Sequence, residues 1–255
     1  RSGQAGGRES TARCSEEALI RSGSHRRRRP RAIAAVNVHA ASRTTAFGLR
    51  YTRPYDPEIR MSATLRLIPA HDYRRERWRN GFGWTREILR WPERSDEWDW
   101  RLSIAEIEHD GPFSSFPGVE RELVLLHGNG VRLRFADGEV REVEPPHGRV
   151  RFAGERAVSG ELIDGPTHDF NLMWHRDRID AELWHRPLVG SMVLFVEPGE
   201  QWVVHVLSGH ARASDERHRQ TAAMGDCLYF SAETARGRFA LDGGGELLLI
   251  RLRSR

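Results

Sequence analysis

Three short segments of this chain alternate apolar and polar residues, and they limit what it can fold into. They are Trp84-Thr85-Arg86-Glu87-Ile88, Trp100-Arg101-Leu102-Ser103-Ile104-Ala105 and Asp169-Phe170-Asn171-Leu172-Met173-Trp174. Successive side chains of a strand point to opposite faces, so Trp100, Leu102 and Ile104 share one side and Arg101, Ser103 and Ala105 the other. Phe170, Leu172 and Trp174 separate in the same way from Asp169, Asn171 and Met173. If these strands share one small barrel, the apolar sets pack a core and the polar sets line a cavity. The expectation is a binding pocket.

The rest of the body reads as β-structure, because apolar alternation recurs in short runs separated by glycine, proline and acidic turns. Strands are expected at Leu65 to Ile68, Glu122 to Leu126, Val131 to Phe135, Leu188 to Val196, Trp202 to Leu207, Cys227 to Phe230 and Glu246 to Leu252. Turns are expected at Pro145 to Gly148 and Asp242 to Gly245, with a helical turn at Gly118 to Arg121. A weak repeat runs through the pattern. Leu123 to Leu133 matches Val203 to Ala213, with Gly128 on Gly209, and Gly148 to Phe152 then matches Gly225 to Phe230. Strand, glycine turn, strand, then a further turn and strand is the rhythm of a jelly-roll half barrel, and its repetition predicts two of them.

Charge is unevenly placed. All 40 basic residues are arginine, against 36 acidic residues. Residues 1–60 hold 13 arginines against 5 acids, and the remainder 27 against 31, so the basic excess belongs to the head of the chain. That head is rich in Arg, Ser, Gly and Ala, shows no sustained apolar period, and is expected to be disordered. A transit peptide and a nucleic-acid or import-receptor segment both fit such a composition. The plainest account is translated upstream sequence, with the protein's own start at Met61. The body from 61 to 255 is long enough for one sizeable core or two small ones, roughly 61–180 and 181–255. No apolar run reaches the ~20 residues of a membrane helix. Cys14 and Cys227 are the two cysteines, so no disulfide can form within the body and a cytoplasmic setting is expected.

Few catalytic chemistries fit. None of the ten body histidines forms His-x-His, and neither His-Glu-x-x-His nor Cys-x-x-Cys occurs, so no metal and no cofactor is expected. Ser103, Ser114 and Ser115 lack a Gly-x-Ser-x-Gly elbow, and Cys227 falls in an apolar strand where a thiol is ordinarily inert. Asn80-Gly81-Phe82-Gly83 precedes a strand rather than a helix, and reads as a turn needing positive φ rather than a phosphate loop. What remains is the polar set: Thr85, Glu87, Arg101, Ser103, Asp169 and Asn171. An ion-pair network fixing strand register would account for its charges, but so many buried polar groups are costly unless a ligand or water satisfies them. Arg121 and Arg176 could add guanidinium forks for a carboxylate. Trp78 and Phe116 could cap the mouth, although most tryptophans of such a chain are core.

Four ordered motifs carry a family resemblance: Trp78 to Ile88, Trp100 to Ala105, Asp110 to Arg121, and Gly165-Pro166 with Asp169 to Met173. Over Met61 to about Arg253 the chain closely resembles the HutD/Ves family. The resemblance implies an all-β, bicupin-like double-stranded β-helix, two jelly-roll half barrels packed together, without metal. Members called HutD are associated with histidine utilisation, where binding of an intermediate such as urocanate or formylglutamate is proposed to restrain the pathway. Those called Ves are associated with cold and stress responses. The chain departs from the family pattern at Arg79, where lysine is common, and at Phe82, where a third glycine is common and a ring would reshape the turn beside the pocket.

The function expected is a small-molecule-binding regulatory protein, with no nucleic-acid or membrane partner and with a homodimer left open. Its ligand, a small carboxylate, would meet Asn80, Thr85, Glu87, Arg101, Ser103, Ser114, Phe116, Arg121, Asp169, Asn171 and Met173. The competing expectations are a metal-independent isomerase or hydrolase using Glu87 or Asp169 as general base, and a stress-linked interaction module. The resemblance attaches no firm enzymatic activity.

Overall fold

In the computed structural model, which describes residues 63–255, every alternating run becomes part of an antiparallel strand. The expected leader, 1–60, lies outside the described residues. The strands are β1 (Ala63–Ile68), β2 (Arg74–Arg77), β3 (Gly83–Trp91), β4 (Trp100–Ile107), β5 (Gly111–Pro112), β6 (Val119–His127), β7 (Val131–Phe135) and β8 (Val140–Val143). They continue with β9 (Arg149–Ala153), β10 (Val158–Leu162), β11 (Thr167–His175), β12 (Ile179–Val196), β13 (Glu200–Ser214), β14 (Arg219–Ala223), β15 (Cys227–Ala232) and β16 (Gly237–Ser254). A single 3-10 turn, Ala70–Asp72, is the only helical element among the described residues, and none of their helices is long and apolar enough to cross a membrane.

The strands pair into three sheets. One runs β2-β3-β4-β11-β6-β9, a second β5-β10-β7-β8, and a third β1-β15-β13-β16-β12 with β14 on β13. The first two sheets make one half barrel and the third, bent around on its long strands, makes the other. β6 and β7 turn at Gly128 to Gly130, whereas the corresponding run of the other half, β13, passes through Gly209 without ending. β1 pairs with β15, so the first described strand completes the sheet of the C-terminal half.

The alternation explains where the core sits. Trp100, Leu102, Ile104, Phe170, Leu172 and Trp174, the apolar faces of β4 and β11, pack against Leu183, Val203, Tyr229, Leu248, Ile250 and Leu252 of the other half. They therefore form the seam between half barrels rather than the interior of either. Trp100 and Trp174 are nearly or fully inaccessible. Each such ring removes roughly 150–250 Å² from water, about 4–6 kcal/mol as an upper bound. The indole N–H of Trp100 is not stranded there, since it donates to Gln201 Oε1 at 2.7 Å.

Two expectations fail. Gly118 turns with φ 76°, but the next residue, Val119, already opens β6, so Gly118 to Arg121 is not a helical turn. Asp242 to Gly245 is not a turn either; it lies inside the 18-residue β16, paired on both sides. Glycine is needed there for a different reason. A Cβ on Gly245 would collide with the Ser208 carbonyl, and one on Gly209 with that of Gly244. The run lets two backbones cross closely where the sheet bends.

Candidate functional site

The polar faces of β3, β4, β6 and β11 open into a cavity of about 690 Å³ within the first half barrel. Register explains the convergence: Thr85 faces Ala105, Ala105 faces Asp169, Ser103 faces Asn171, and Arg101 and Arg121 both face Met173. The β2–β3 hairpin, turning through Gly81 at φ 76°, brings Trp78 and Asn80 to the rim. The segment between β5 and β6 brings Phe113, Ser114 and Phe116.

Of the residues expected at the site, Asn80, Thr85, Arg101, Ser103, Ser114, Phe116, Arg121, Asp169, Asn171 and Met173 line this one cavity. Glu87 does not. Its carboxylate lies behind Arg101, accepting from Arg101 Nε at 2.6 Å and from Arg90 Nε at 2.9 Å. Burial works to raise this carboxyl, but Arg101 and Arg90 more than offset it and hold it below the usual range. Glu87 therefore orients Arg101, whose terminal nitrogens are left without a protein acceptor among the described residues. Asn80 is partly spoken for, because its Oδ1 accepts from Phe82 N and stabilises the hairpin turn. Thr85 Oγ1 accepts the Trp78 indole N–H at 2.8 Å and keeps its own proton for the cavity.

Arg176 is removed from the set, since it forms a bidentate pair with Glu155 outside the cavity. Phe82 does not line the cavity either; its ring lies over Gly111 and meets His109 edge-on. Ala105, placed by the alternation on the same face as Arg101 and Ser103, lines the cavity as expected, whereas sequence reasoning does not single out Phe113 or Leu123. Leu123 is readable from strand parity, but Phe113 sits in a segment with no periodicity to read.

The electrostatics at the cavity floor are unusual. Arg121 is buried, has no carboxylate within ion-pair distance among the described residues, and makes one long hydrogen bond of 3.5 Å to the Ser114 carbonyl. Its Nε has no partner among the described residues. Phe113, Phe116 and Phe152 surround the guanidinium with ring centroids 5.2–5.7 Å away, an arrangement that favours a cation without satisfying its donors. Burial, with Arg101 nearby, pulls the group down to about 10. Asp169 is fully buried and burial pushes it up to about 7, although the Thr167 hydroxyl donates to its Oδ1 at 3.3 Å. Asp169 Oδ2 and Asn171 Oδ1 both lack a partner among the described residues. A pair of guanidinium groups on β4 and β6 thus flanks β11, whose two unsatisfied acceptors share the same sheet face, a set suited to a molecule with both an anionic group and an N–H or O–H donor.

Among the described residues, no histidine or cysteine lines the cavity. Cys227 is buried in β15, where Tyr73 and His205 contact its sulfur, and burial pushes the thiol up to about 12. One group of side chains among the described residues comes close enough to share a metal, His147, His185 and Glu246, and it lies elsewhere.

Two antiparallel half barrels of matching topology, one of them keeping a polar cavity, define a bicupin-type β protein. The HutD family model matches residues 70–249. An uncharacterised 21.2 kDa Pseudomonas putida protein in the hutC 3′ region is 36% identical over 194 residues, covering 75% of this chain and 94% of that one. Protein Ves of Citrobacter koseri is 37% identical over 160 residues, 62% of this chain and 80% of Ves. The solved structure of HutD from Pseudomonas fluorescens SBW25 superposes with TM-score 0.65 at 30% identity, covering 75% of this chain and all of that one. The chain belongs to the HutD/Ves family.

Proposed function

We propose that the protein binds a small amino-acid-derived carboxylate in the first half barrel, and that the ligand is an intermediate of histidine degradation such as urocanate or formylglutamate. The observation that carries the reading is Arg121, a buried guanidinium with no carboxylate partner among the described residues, beside terminal nitrogens of Arg101 that have no acceptor among them either. A buried cation kept without a partner is costly, and an anionic ligand removes that cost. The strand between the two arginines supplies the selectivity: further along β11, Asp169 and Asn171 accept from the imidazole N–H of urocanate or the formamide N–H of formylglutamate. The names of the relatives, HutD and a protein of the hutC region, support the choice of pathway. On this reading the protein is cytoplasmic and regulatory, and occupancy of the pocket reports the level of the intermediate.

Arg101→Met tests it cleanly, because Glu87 keeps Arg90 when Arg101 is removed. Calorimetric titration is expected to show wild-type binding of urocanate or formylglutamate. In the variant, affinity is expected to fall at least about 30-fold while the melting temperature moves little. A wild type that binds neither compound at millimolar concentration overturns the ligand assignment.

One observation favours a second reading. Asp169, with its carboxyl near 7, is poised as a general base in a cavity without a metal ligand set. A metal-independent isomerase or hydrolase would consume a bound carboxylate over hours, which proton NMR of the incubated mixture detects.

A further inference from the structure

His147, His185 and Glu246 are far apart in the sequence and belong to different parts of the fold. His147 sits in the turn between β8 and β9 of the first half barrel, held at φ 51° in the left-handed region. His185 is on β12 and Glu246 on β16. Glu246 faces Pro187 across that pair, so His185 and Glu246 are diagonal neighbours on one face of the sheet. The ligand atoms of all three side chains lie within 4.8 Å of one another, and none of the three lines the cavity already described.

The hydrogen bonding fixes which nitrogen of His147 is available. Its Nδ1 is 3.1 Å from the Leu125 carbonyl oxygen, which can only accept, so Nδ1 carries the proton. In the neutral ring Nε2 is then a bare lone pair, and it points at Glu246 Oε2 from 3.3 Å. His185 Nε2 approaches the same oxygen at 3.5 Å. Both separations are longer than a good N–H···O bond, about 2.7–3.2 Å. The His147 lone pair and a carboxylate oxygen repel unless something positive lies between them. Bonds of about 2.0–2.1 Å to a tetrahedral zinc ion put neighbouring ligand atoms about 3.3–3.4 Å apart, and two of the three separations here already have that size. The backbone carbonyl behind His147 is the kind of outer partner that orients a metal-bound imidazole.

We propose that His147, His185 and Glu246 form a zinc site that fastens the β8–β9 turn to the β12–β16 sheet of the other half barrel. Two imidazoles and one carboxylate are a ligand set of borderline softness, which suits zinc over magnesium or calcium. The partial exposure of the three side chains, 19%, 40% and 46%, leaves the fourth position to water or an exogenous donor. The site is independent of the ligand pocket and of the reading given for it.

The untagged full chain, stripped with EDTA and dialysed against zinc chloride at neutral pH, is expected to retain one equivalent of zinc by elemental analysis and to melt higher than the stripped form. His185→Ala and Glu246→Gln alter exposed side chains, so both variants are expected to fold, to retain little zinc and to lose the zinc-dependent rise in melting temperature. Cobalt(II) bound to the wild type is expected to give the visible absorption of a four-coordinate site, which keeps the test open if a variant misfolds. A wild type that holds no zinc after dialysis, cobalt with only a six-coordinate spectrum, or variants that bind zinc as well as the wild type overturns the proposal.

Discussion

The same half barrel is built twice, and one copy keeps a hole where the other is filled. The registers give the correspondence. In both copies the ladder skips one residue just before the glycine, Leu126 in β6 and Leu207 in β13. Counting from that shared bulge, Asp169 corresponds to Leu247, Asn171 to Leu249, Ser103 to Trp184, Arg121 to Trp202, Met173 to Arg251 and Arg101 to Glu182. In the second half barrel Leu247 and Leu249 are core, the rings of Trp184 and Trp202 stack 5.9 Å apart, and Arg251 pairs with Glu182 beside them. The space that a ligand would take in the first copy is occupied by two indoles in the second. Pocket and plug are alternative solutions to one interior, and the polar residues of the first copy are not required by the fold.

If so, exchanging the two solutions must be ruinous in one direction. Leu247→Asp places in the filled copy the residue that the open copy carries at the same position. Leu247 is 1% exposed and surrounded by apolar side chains. An ionised carboxylate there has no cavity, no hydroxyl partner and no ligand, so the loss is expected to exceed about 4 kcal/mol and to leave the variant unfolded or insoluble at neutral pH. Circular dichroism checks it. A soluble variant melting close to the wild type breaks the correspondence.

The reverse exchange, removing the charge from the open copy, is expected to stabilise. The Asp169 carboxyl ordinarily titrates near 3.8 but holds its proton to about 7 in the fold. The folded state therefore binds more protons between those values, and stability falls as pH rises from about 4 to about 7. An asparagine side chain at this position does not titrate and can still accept from the Thr167 hydroxyl. Asp169→Asn is expected to equal the wild type at pH 4 and to exceed it by about 2–4 kcal/mol at pH 8, in urea melts at both pH values. The same change removes an ionisable acceptor from the pocket, so ligand affinity and stability are expected to move in opposite directions. A pH-independent difference would mean that the carboxyl does not titrate where its burial puts it.

Both copies are announced by their strands and by the repeat, but only the interior of the open copy is legible in the sequence, for a reason visible in these residues. Arg101, Ser103, Asp169 and Asn171 interrupt apolar strands at every second position, so their parity announces a polar interior. Leu247, Leu249 and Val206 sit in continuous apolar runs, which carry no parity, and nothing separates the inside of the barrel from the seam. Strand parity places Glu87 in the pocket, but parity says nothing about a neighbouring arginine drawing the carboxylate aside. The glycines of β16 read as a turn because glycine weakens strands, whereas the close crossing with β13 that demands them is a tertiary fact. His147, His185 and Glu246 have no spacing to notice, since long stretches of chain separate what the fold brings together.

The smallest expected effect sharpens the comparison most, because it asks whether the plug can be drawn. Trp202 stands where Arg121 stands in the open copy, stacks on Trp184, and lies within 6.0 Å of the Arg251 guanidinium. Its indole N–H makes only a long bond, 3.4 Å, to Glu200 Oε2. A fully buried tryptophan truncated to alanine costs about 3–5 kcal/mol, but this ring is partly exposed and water can enter the space it leaves, so Trp202→Ala is expected to cost about 2 kcal/mol. The consequence for shape is more specific. Removal of one indole leaves the other as one wall of a new opening, bordered by Arg251, in the filled interior. A fluorescent aromatic carboxylate is therefore expected to bind the variant weakly at a second site, independent of Arg101, while the wild type shows one. If Trp202→Ala instead loses as much stability as a core truncation and gains no second site, Trp184 has collapsed into the space and the two interiors are not interchangeable.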